Sequence, residues 1–329
     1  MREFGYARPT DIAEAVALTY ADAHARYLGG GTNLVDLMKL GVETPSLLVD
    51  VTGLPLGQVE ETAGSSLRIG ALARNSDIAV DPFVRGRFPL LSEALLSGAS
   101  GQLRNVATAG GNLLQRTRCA YFTDVSKPCN KREPGAGCAA LDGEHHNHAI
   151  LGASEHCIAT HPSDFAVALA ALDARLEVQS EEGLREMALT DFYLPVGDSP
   201  HEEVALEHGE LITAILVPAV PAAARSRYRK VRERASYAFA ICSVAVVVTV
   251  VDDAIHDVRI ALGAMASRPW RARRAEAALA GSTPSAGSFA AAAELELEQA
   301  SPLRDNAYKV PLVRELVVDS LCELTGVSR

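Results

Sequence analysis

Arg26-Tyr27-Leu28-Gly29-Gly30-Gly31-Thr32-Asn33-Leu34 carries a short apolar run into a helical one through three consecutive glycines. Strand, glycine turn and helix in that order form a phosphate-binding arrangement. The glycines let the backbone approach a ligand so closely that successive N–H groups point at its oxygens. Thr32 and Asn33 add side-chain donors, and the helix starting at Leu34 aims its positive end at the same place. A near-repeat, Thr108-Ala109-Gly110-Gly111-Asn112-Leu113, follows about 80 residues later, and two such turns in one domain point to a nucleotide rather than to plain loops. The dinucleotide fingerprint of parallel sheets does not match. Gly29 opens G-x-G and Asp50 lies where a ribose-binding acid would sit, but Leu34 occupies the third glycine position, no P-loop lysine-serine pair is present, and no repeating βαβ pattern follows. Asp50 reads as a strand-end turn residue.

Directly after the second turn, Cys119, Cys129, Cys138 and Cys157 fall within 39 residues, separated by gaps of nine, eight and eighteen. No pair has the C-x-x-C spacing of zinc ribbons or thioredoxin-like sites, so the ligands must come from a folded loop. Four thiolates satisfy either a tetrahedral zinc or a cubane iron–sulfur cluster. Iron–sulfur is favoured because Arg116, Arg118, Lys127, Lys131 and Arg132 stand against one acid, Asp124, and would offset an anionic cluster, and because the segment leaves the glycine turn directly. Gly135 and Gly137 would let backbone N–H groups approach the sulfurs. His145, His146, His148 and His156 are candidate ligands in the zinc reading; solvent-facing loop histidines are the preferred one. Cys242 and Cys322 read as small core residues.

The 329 residues exceed what one core usually supports, which predicts two domains. With 48% hydrophobic and 22% charged residues the chain is an ordinary globular one, and its net charge of −10 argues against nucleic acid and anionic lipid as partners. The longest apolar stretch, residues 238–251, is too short to span a bilayer and predicts a buried strand, so no membrane insertion is expected. The first residues hold no apolar core of a signal peptide, which by itself suggests a cytoplasmic protein.

The pattern predicts helices over 11–19, 34–40, 90–97 and 165–173, and strands over 26–28, 46–51, 66–69 and 175–178. Residues 116–162 keep no period and are rich in Gly, Pro, Cys and His, which marks a functional loop. Pro218-Ala219-Val220-Pro221-Ala222-Ala223-Ala224 suits a domain boundary. Beyond it, strands over 238–251 and 256–262 precede helices over 271–280, 285–300 and 311–324, as in an antiparallel sheet covered by helices. The expected domains are 1–220, with subdomains of about 1–55 and 56–220, and 225–329.

The glycine stretch Tyr27 to Leu34, then Arg104-Asn105-Val106-Ala107-Thr108-Ala109-Gly110-Gly111-Asn112-Leu113, Ser163-Asp164 and Tyr228-Arg229-Lys230-Val231 resemble, in order, the FAD-binding medium subunit of the xanthine dehydrogenase family of molybdenum hydroxylases. The four-cysteine insertion is absent from most such subunits. It is similar to that of 4-hydroxybenzoyl-CoA reductase, and more closely to that of bacterial periplasmic aldehyde oxidoreductases, where it carries a [4Fe-4S] cluster.

The resemblance implies an α+β fold: a two-subdomain FAD-binding domain of the vanillyl-alcohol-oxidase (PCMH) type, then a small CO-dehydrogenase-flavoprotein-like domain with an antiparallel sheet. It implies that Tyr27, Leu28, Gly29, Gly30, Gly31, Thr32, Asn33 and Leu34 wrap the FAD pyrophosphate, and that Thr108, Gly111 and Asn112 complete those contacts. Asp164 would hold the adenosine part, although on sequence alone it reads equally as a helix N-cap, a role Ser163 also suits. Lys230 would approach the isoalloxazine, Leu211 and Ile212 would pack on it, and Gln115 and Arg118 are weaker cofactor candidates. Cys119, Cys129, Cys138 and Cys157 would bind the cluster.

The implied partners are a molybdenum-cofactor large subunit, a [2Fe-2S] small subunit and an external electron acceptor. No catalytic acid or base is expected on this chain. The implied location is the periplasm, reached as the passenger of a signal-bearing partner. The rival readings are a 4-hydroxybenzoyl-CoA reductase-like subunit with inward electron flow, and a structural zinc scaffold.

Overall fold

The computed structural model describes residues 1–329. Near the N-terminus, strands Gly5–Ala7 and Arg26–Leu28 flank Leu47–Asp50, both parallel to it, in a three-stranded sheet. The crossover helix Ile12–Tyr20 begins at Asp11, whose side chain accepts the Glu14 N–H at 2.8 Å. The second helix, Leu34–Leu40, ends at Gly41 in the left-handed conformation. Asp50 closes its strand by accepting both the backbone N–H and the hydroxyl of Thr52, at 2.9 and 2.6 Å. That is the strand-end role its position suggested.

A five-stranded antiparallel sheet follows, in the order Val59–Thr62, Ser66–Gly70, Leu211–Val217, Arg175–Ser180, Gly183–Ala188. Its two edge strands, VEET and GLREMA, lack the apolar alternation by which a strand is read from sequence. Residues 218–224 then lead to a four-stranded antiparallel sheet, Trp270–Arg271, Ala254–Gly263, Cys242–Val251, Arg225–Val231. The helices Arg273–Leu279, Ala286–Leu297 and Lys309–Thr325 cover one face of it.

The strand Cys242–Val251 explains its own continuous apolar sequence. Ala245 and Val247 point into the core shared with the five-stranded sheet, while Val244, Val246 and Val248 point into the core under the C-terminal helices. A strand covered on both faces needs no polar alternation. It starts four residues later than the sequence suggested, because residues 238–241 turn aside to line a cleft. Between the two sheets lies the helix Asp164–Ala171, of which Phe165 through Ala171 are all buried, the environment that an all-apolar helix requires. It stops short of Asp173, where the backbone turns with φ 52°. Cys242 and Cys322 both sit in the C-terminal core, as expected. No helix is long and apolar enough to cross a membrane.

Candidate functional site

The two glycine turns are one structure. A Cβ placed on Gly30 would lie 2.2 Å from the carbonyl oxygen of Val106, and one on Gly29 or Gly111 would lie 2.9 Å from Oγ1 of Thr108. The first turn therefore rests on the backbone just before the second, and only glycine permits that approach. Gly31 adds a positive φ of 69°. Thr108 caps the short helix Ala109–Leu113 by accepting the Gly111 N–H at 3.3 Å.

The paired turns form one wall of a cleft of about 720 Å³ that also takes in the cysteine loop, the start of helix Asp164–Ala171 and residues 230–241 of the C-terminal sheet. That volume suits a dinucleotide-sized ligand. Thr32, Asn33, Gly111 and Asn112 line it, with Gln115, Arg118, Asp164 and Lys230. Tyr27, Leu28, Gly29, Gly30, Gly31, Leu34 and Thr108 stand behind this lining and shape the turns; the Tyr27 hydroxyl points away and donates to the Gly209 carbonyl at 2.6 Å. Leu211 and Ile212 do not reach the cleft. Leu211 packs with Val49 and Val51, and Ile212 lies in the main core, because alternate residues of a central strand face opposite covered sides. The flavin-facing placement implied for these two is corrected accordingly.

Asp164 and Lys230 meet across the domain boundary. Ser163 is the N-cap of the helix, accepting the Ala166 N–H at 3.0 Å, which leaves the Asp164 carboxylate free in the first turn. One of its oxygens accepts the Tyr228 hydroxyl at 2.5 Å and the other the Lys230 ammonium at 2.7 Å. Lys230 also donates to the Ser97 carbonyl at 3.2 Å, and Arg232 to the same carbonyl at 2.9 Å. Cations thus gather at the negative end of helix Pro89–Ser97, where the dipole favours them.

Four residues on the cleft wall carry buried polar atoms without a partner: Asn33 Nδ2, Asn75 Oδ1, Arg118 Nε and His148 Nδ1. Unsatisfied buried groups in a cleft mark where a polar ligand belongs. Asn33 is held by its other atom, Oδ1 accepting the Arg116 N–H at 2.8 Å, so its free amide is fixed in place. The Arg118 guanidinium lies 5.0 Å over the Phe239 ring, and burial pushes its pKa below the ordinary value. Two cations and several fixed amide and backbone N–H donors make this wall suited to a diphosphate. The residues fit FAD.

Apart from the short helix Ala120–Thr123, residues 116–162 fold by hydrogen bonds rather than by regular elements. Cys129 and Cys138 face each other in an isolated bridge, and a second bridge joins Ser154 to Cys157. Cys119 packs against both the Cys129 and the Cys157 clusters, so the loop draws together cysteines far apart in sequence. No group of three or more His, Cys, Asp or Glu side chains is placed to hold a metal ion. Burial pushes the Cys119 thiol up to about 11 and raises that of Cys157, which nearby Lys131 partly offsets.

The basic residues brace the loop. Arg116 spans Glu43 at 2.5 Å and Glu203 at 2.6 Å, and Arg132 donates to the Tyr121 and Phe122 carbonyls at 3.0 and 2.7 Å. The Gly137 N–H goes to Asn130 Oδ1 at 2.7 Å, not to a sulfur; the Ala159 N–H lies 3.4 Å from Cys157 Sγ, and the backbone N–H groups of Tyr121 and Phe122 approach the Cys119 thiol. The histidines also differ from expectation. His146 is exposed and His156 partly so, but His145 and His148 are buried because the C-terminal domain covers them. Lys309, fully buried, donates to the carbonyls of Asn147, His148 and Ala264 at 3.1, 3.0 and 2.8 Å. Sequence reasoning missed Asn75 and read His148 as a solvent-facing loop histidine; neither lies in a turn motif, and only packing places them on the cleft.

The family model for the FAD binding domain in molybdopterin dehydrogenase matches residues 2–220, and that for the CO dehydrogenase flavoprotein C-terminal domain matches residues 226–324. The chain is 49% identical to the aldehyde oxidoreductase FAD-binding subunit PaoB of Escherichia coli, over 98% of each chain. It is 28% identical to the carbon monoxide dehydrogenase medium chain of Afipia carboxidovorans, over 84% of this chain and 80% of that one. The solved carbon monoxide dehydrogenase from Hydrogenophaga pseudoflava that lacks the Mo-pyranopterin moiety has a chain that aligns with a TM-score of 0.79 at 26% identity, covering 99% of this chain and 98% of that one. With both family models accounting for nearly every residue, this chain belongs to the FAD-binding subunits of the molybdenum hydroxylase family, as an oxidoreductase subunit of two domains, PCMH-type and CO-dehydrogenase-flavoprotein-type.

Proposed function

We propose that this chain is the electron-transfer subunit, holding FAD and a [4Fe-4S] cluster, of a molybdenum-dependent aldehyde oxidoreductase. It would stand between molybdenum and [2Fe-2S] subunits on one side and an external acceptor on the other. The observation that supports this reading is the shared wall: the loop that carries the four cysteines opens, through Cys119, onto the same cleft that the two glycine turns build. Its 49% identity to an aldehyde oxidoreductase subunit supports the substrate class. When bound, a flavin exchanges one or two electrons and an iron–sulfur cluster one, so the protein's task is to hold both and set their surroundings.

Thr32, Asn33, Gly111 and Asn112 would hold the diphosphate with backbone and amide donors, and Arg118 would neutralise it. Asp164, fixed by Tyr228 and Lys230, would accept from the adenosine end. Gln115 orients Asn112, donating to its Oδ1 at 2.7 Å. Cys119, Cys129, Cys138 and Cys157 would ligate the cluster. Export to the periplasm as the passenger of a signal-bearing partner is part of the proposal, supported by the resemblance of the cysteine loop to that of periplasmic enzymes; fractionation of cells making the whole complex tests it.

Purified chain should be yellow-brown, with flavin bands, a broad shoulder near ~400 nm and no zinc, because a d¹⁰ ion absorbs nothing there. Cys138→Ser should lose iron and keep FAD. Colourless protein with stoichiometric zinc, or a Cys138→Ser chain with full iron, would overturn the cluster assignment. Measured potentials of both centres separate outward electron flow from the inward flow of a reductase.

A further inference from the structure

We propose that in the metal-free chain Cys129 and Cys138 are a disulfide-forming pair: exchange with a small-molecule disulfide joins their sulfurs and staples the hairpin between them. This is thiol chemistry alone and does not depend on what the loop binds.

Cys129 and Cys138 are partners in an isolated antiparallel bridge. The Asn130 N–H donates to the Gly137 carbonyl at 2.8 Å and the Ala139 N–H to the Pro128 carbonyl at 3.2 Å, so the two hydrogen bonds flank the cysteines instead of joining them. That is the non-hydrogen-bonded register of an antiparallel pair, in which the Cα atoms approach to about 4.5 Å and both side chains leave the same face. A disulfide spans Cα separations of about 4.4–6.8 Å, so the backbone already stands where the bond requires it. The hairpin holds this register unaided. Gly135 and Gly137 turn with φ of 85° and 96°, and the Asn130 side chain accepts the Gly137 N–H at 2.7 Å. No other cysteine is so paired: the bridge partner of Cys157 is Ser154, Cys119 has none, and Cys242 and Cys322 lie in the C-terminal core.

Both thiols are free, with Cys129 buried and Cys138 partly exposed, so exchange begins at Cys138. Its thiolate attacks one sulfur of the external disulfide and displaces the other as a thiolate. Cys129 then attacks the Cys138 sulfur of the mixed disulfide and displaces the second. Two protein thiols are oxidised, one external disulfide is reduced to two thiols, and the two protein protons go to them. Once joined, neither sulfur can act as a ligand, so the hairpin has two exclusive states.

The test uses the full-length chain, reduced with dithiothreitol and freed of metal by a chelator, with oxidised glutathione as the probe. The thiol count should fall from six per chain by two. After alkylation and denaturation, trypsin and chymotrypsin cut at Phe122, Lys131, Arg132 and Leu141, so that peptides 123–131 and 133–141 each hold one cysteine. Those two peptides should appear joined and outnumber any other cysteine linkage by about tenfold. Cys138→Ser should keep every remaining thiol under the same conditions. Retention of all six thiols by the parent in excess oxidised glutathione overturns the proposal. So does a dominant linkage through Cys119 or Cys157, a glutathione adduct that stops at Cys138, or a Cys138→Ser chain that loses two thiols as readily as the parent. The readout counts thiols and not iron, so failure of this pairing and failure of the cluster reading are separate results.

Discussion

Gly30→Ala tests the central construction, the seating of one glycine turn on the backbone of the other. The added Cβ would meet the Val106 carbonyl oxygen at 2.2 Å, its carbon at 2.8 Å and the Ala107 Cα at 3.0 Å. All three are backbone atoms, so no rotamer change relieves the contact and the turns must separate by about 1 Å, a typical overpacking strain of ~1–3 kcal/mol. The free chain can relax, but a ligand that needs donors from both turns at their native spacing restores the strain on binding. FAD affinity should therefore fall by roughly 5- to 150-fold, at 1.4 kcal/mol per tenfold. Titration of apoprotein with FAD, followed by flavin fluorescence, measures this directly. Gly57→Ala is the control, since a Cβ there meets nothing within 4 Å. If Gly30→Ala binds FAD within about twofold of the Gly57→Ala control, against the estimate above, the two turns do not act as one site.

Lys309→Met should cost about 3 kcal/mol or more in urea unfolding, because it strips the donor from three carbonyls, two of them in buried bonds; a loss below about 1 kcal/mol would show that water or a shift of the loop replaces it. Asp164→Asn leaves the Lys230 ammonium, with only 3% of its side chain exposed, facing a neutral amide, and should lower both stability and FAD content, read by thermal unfolding and flavin absorbance. His161 supplies a pH dependence. Burial pushes its pKa from 6.5 to about 4, so between those values the unfolded chain binds a proton that the folded chain does not. Stability from this group is complete above about pH 6.5 and is lost on acidification toward 4, by about 3 kcal/mol in all. His161→Gln should flatten that slope; an unchanged slope in denaturant titrations across the window would refute the assignment.

Much of the scaffold could be read from local pattern. The helix Leu34–Leu40 and the strand Arg26–Leu28 fall where the sequence placed them, because Gly29 to Gly31 separate the two and Gly41 ends the helix. The edge strands Val59–Thr62 and Gly183–Ala188 were not legible, since their residues carry no face to bury. Site residues divide in the same way. Thr32, Asn33, Gly111 and Asn112 could be read from the turns, and Asp164 and Lys230 only from the resemblance; the ion pair joining the latter two spans 66 residues and exists because the C-terminal sheet packs on helix Asp164–Ala171.

The sequence by itself determined that two glycine turns build a nucleotide site and that four cysteines share one loop beside it, because glycine and cysteine carry their chemistry in their identity. Tertiary structure alone decided that Leu211 and Ile212 turn into cores, and that His148 is buried against Cys119 on the cleft wall. Burial and hydrogen-bond direction depend on which elements pack together across long stretches of chain, and no local run of residues encodes that.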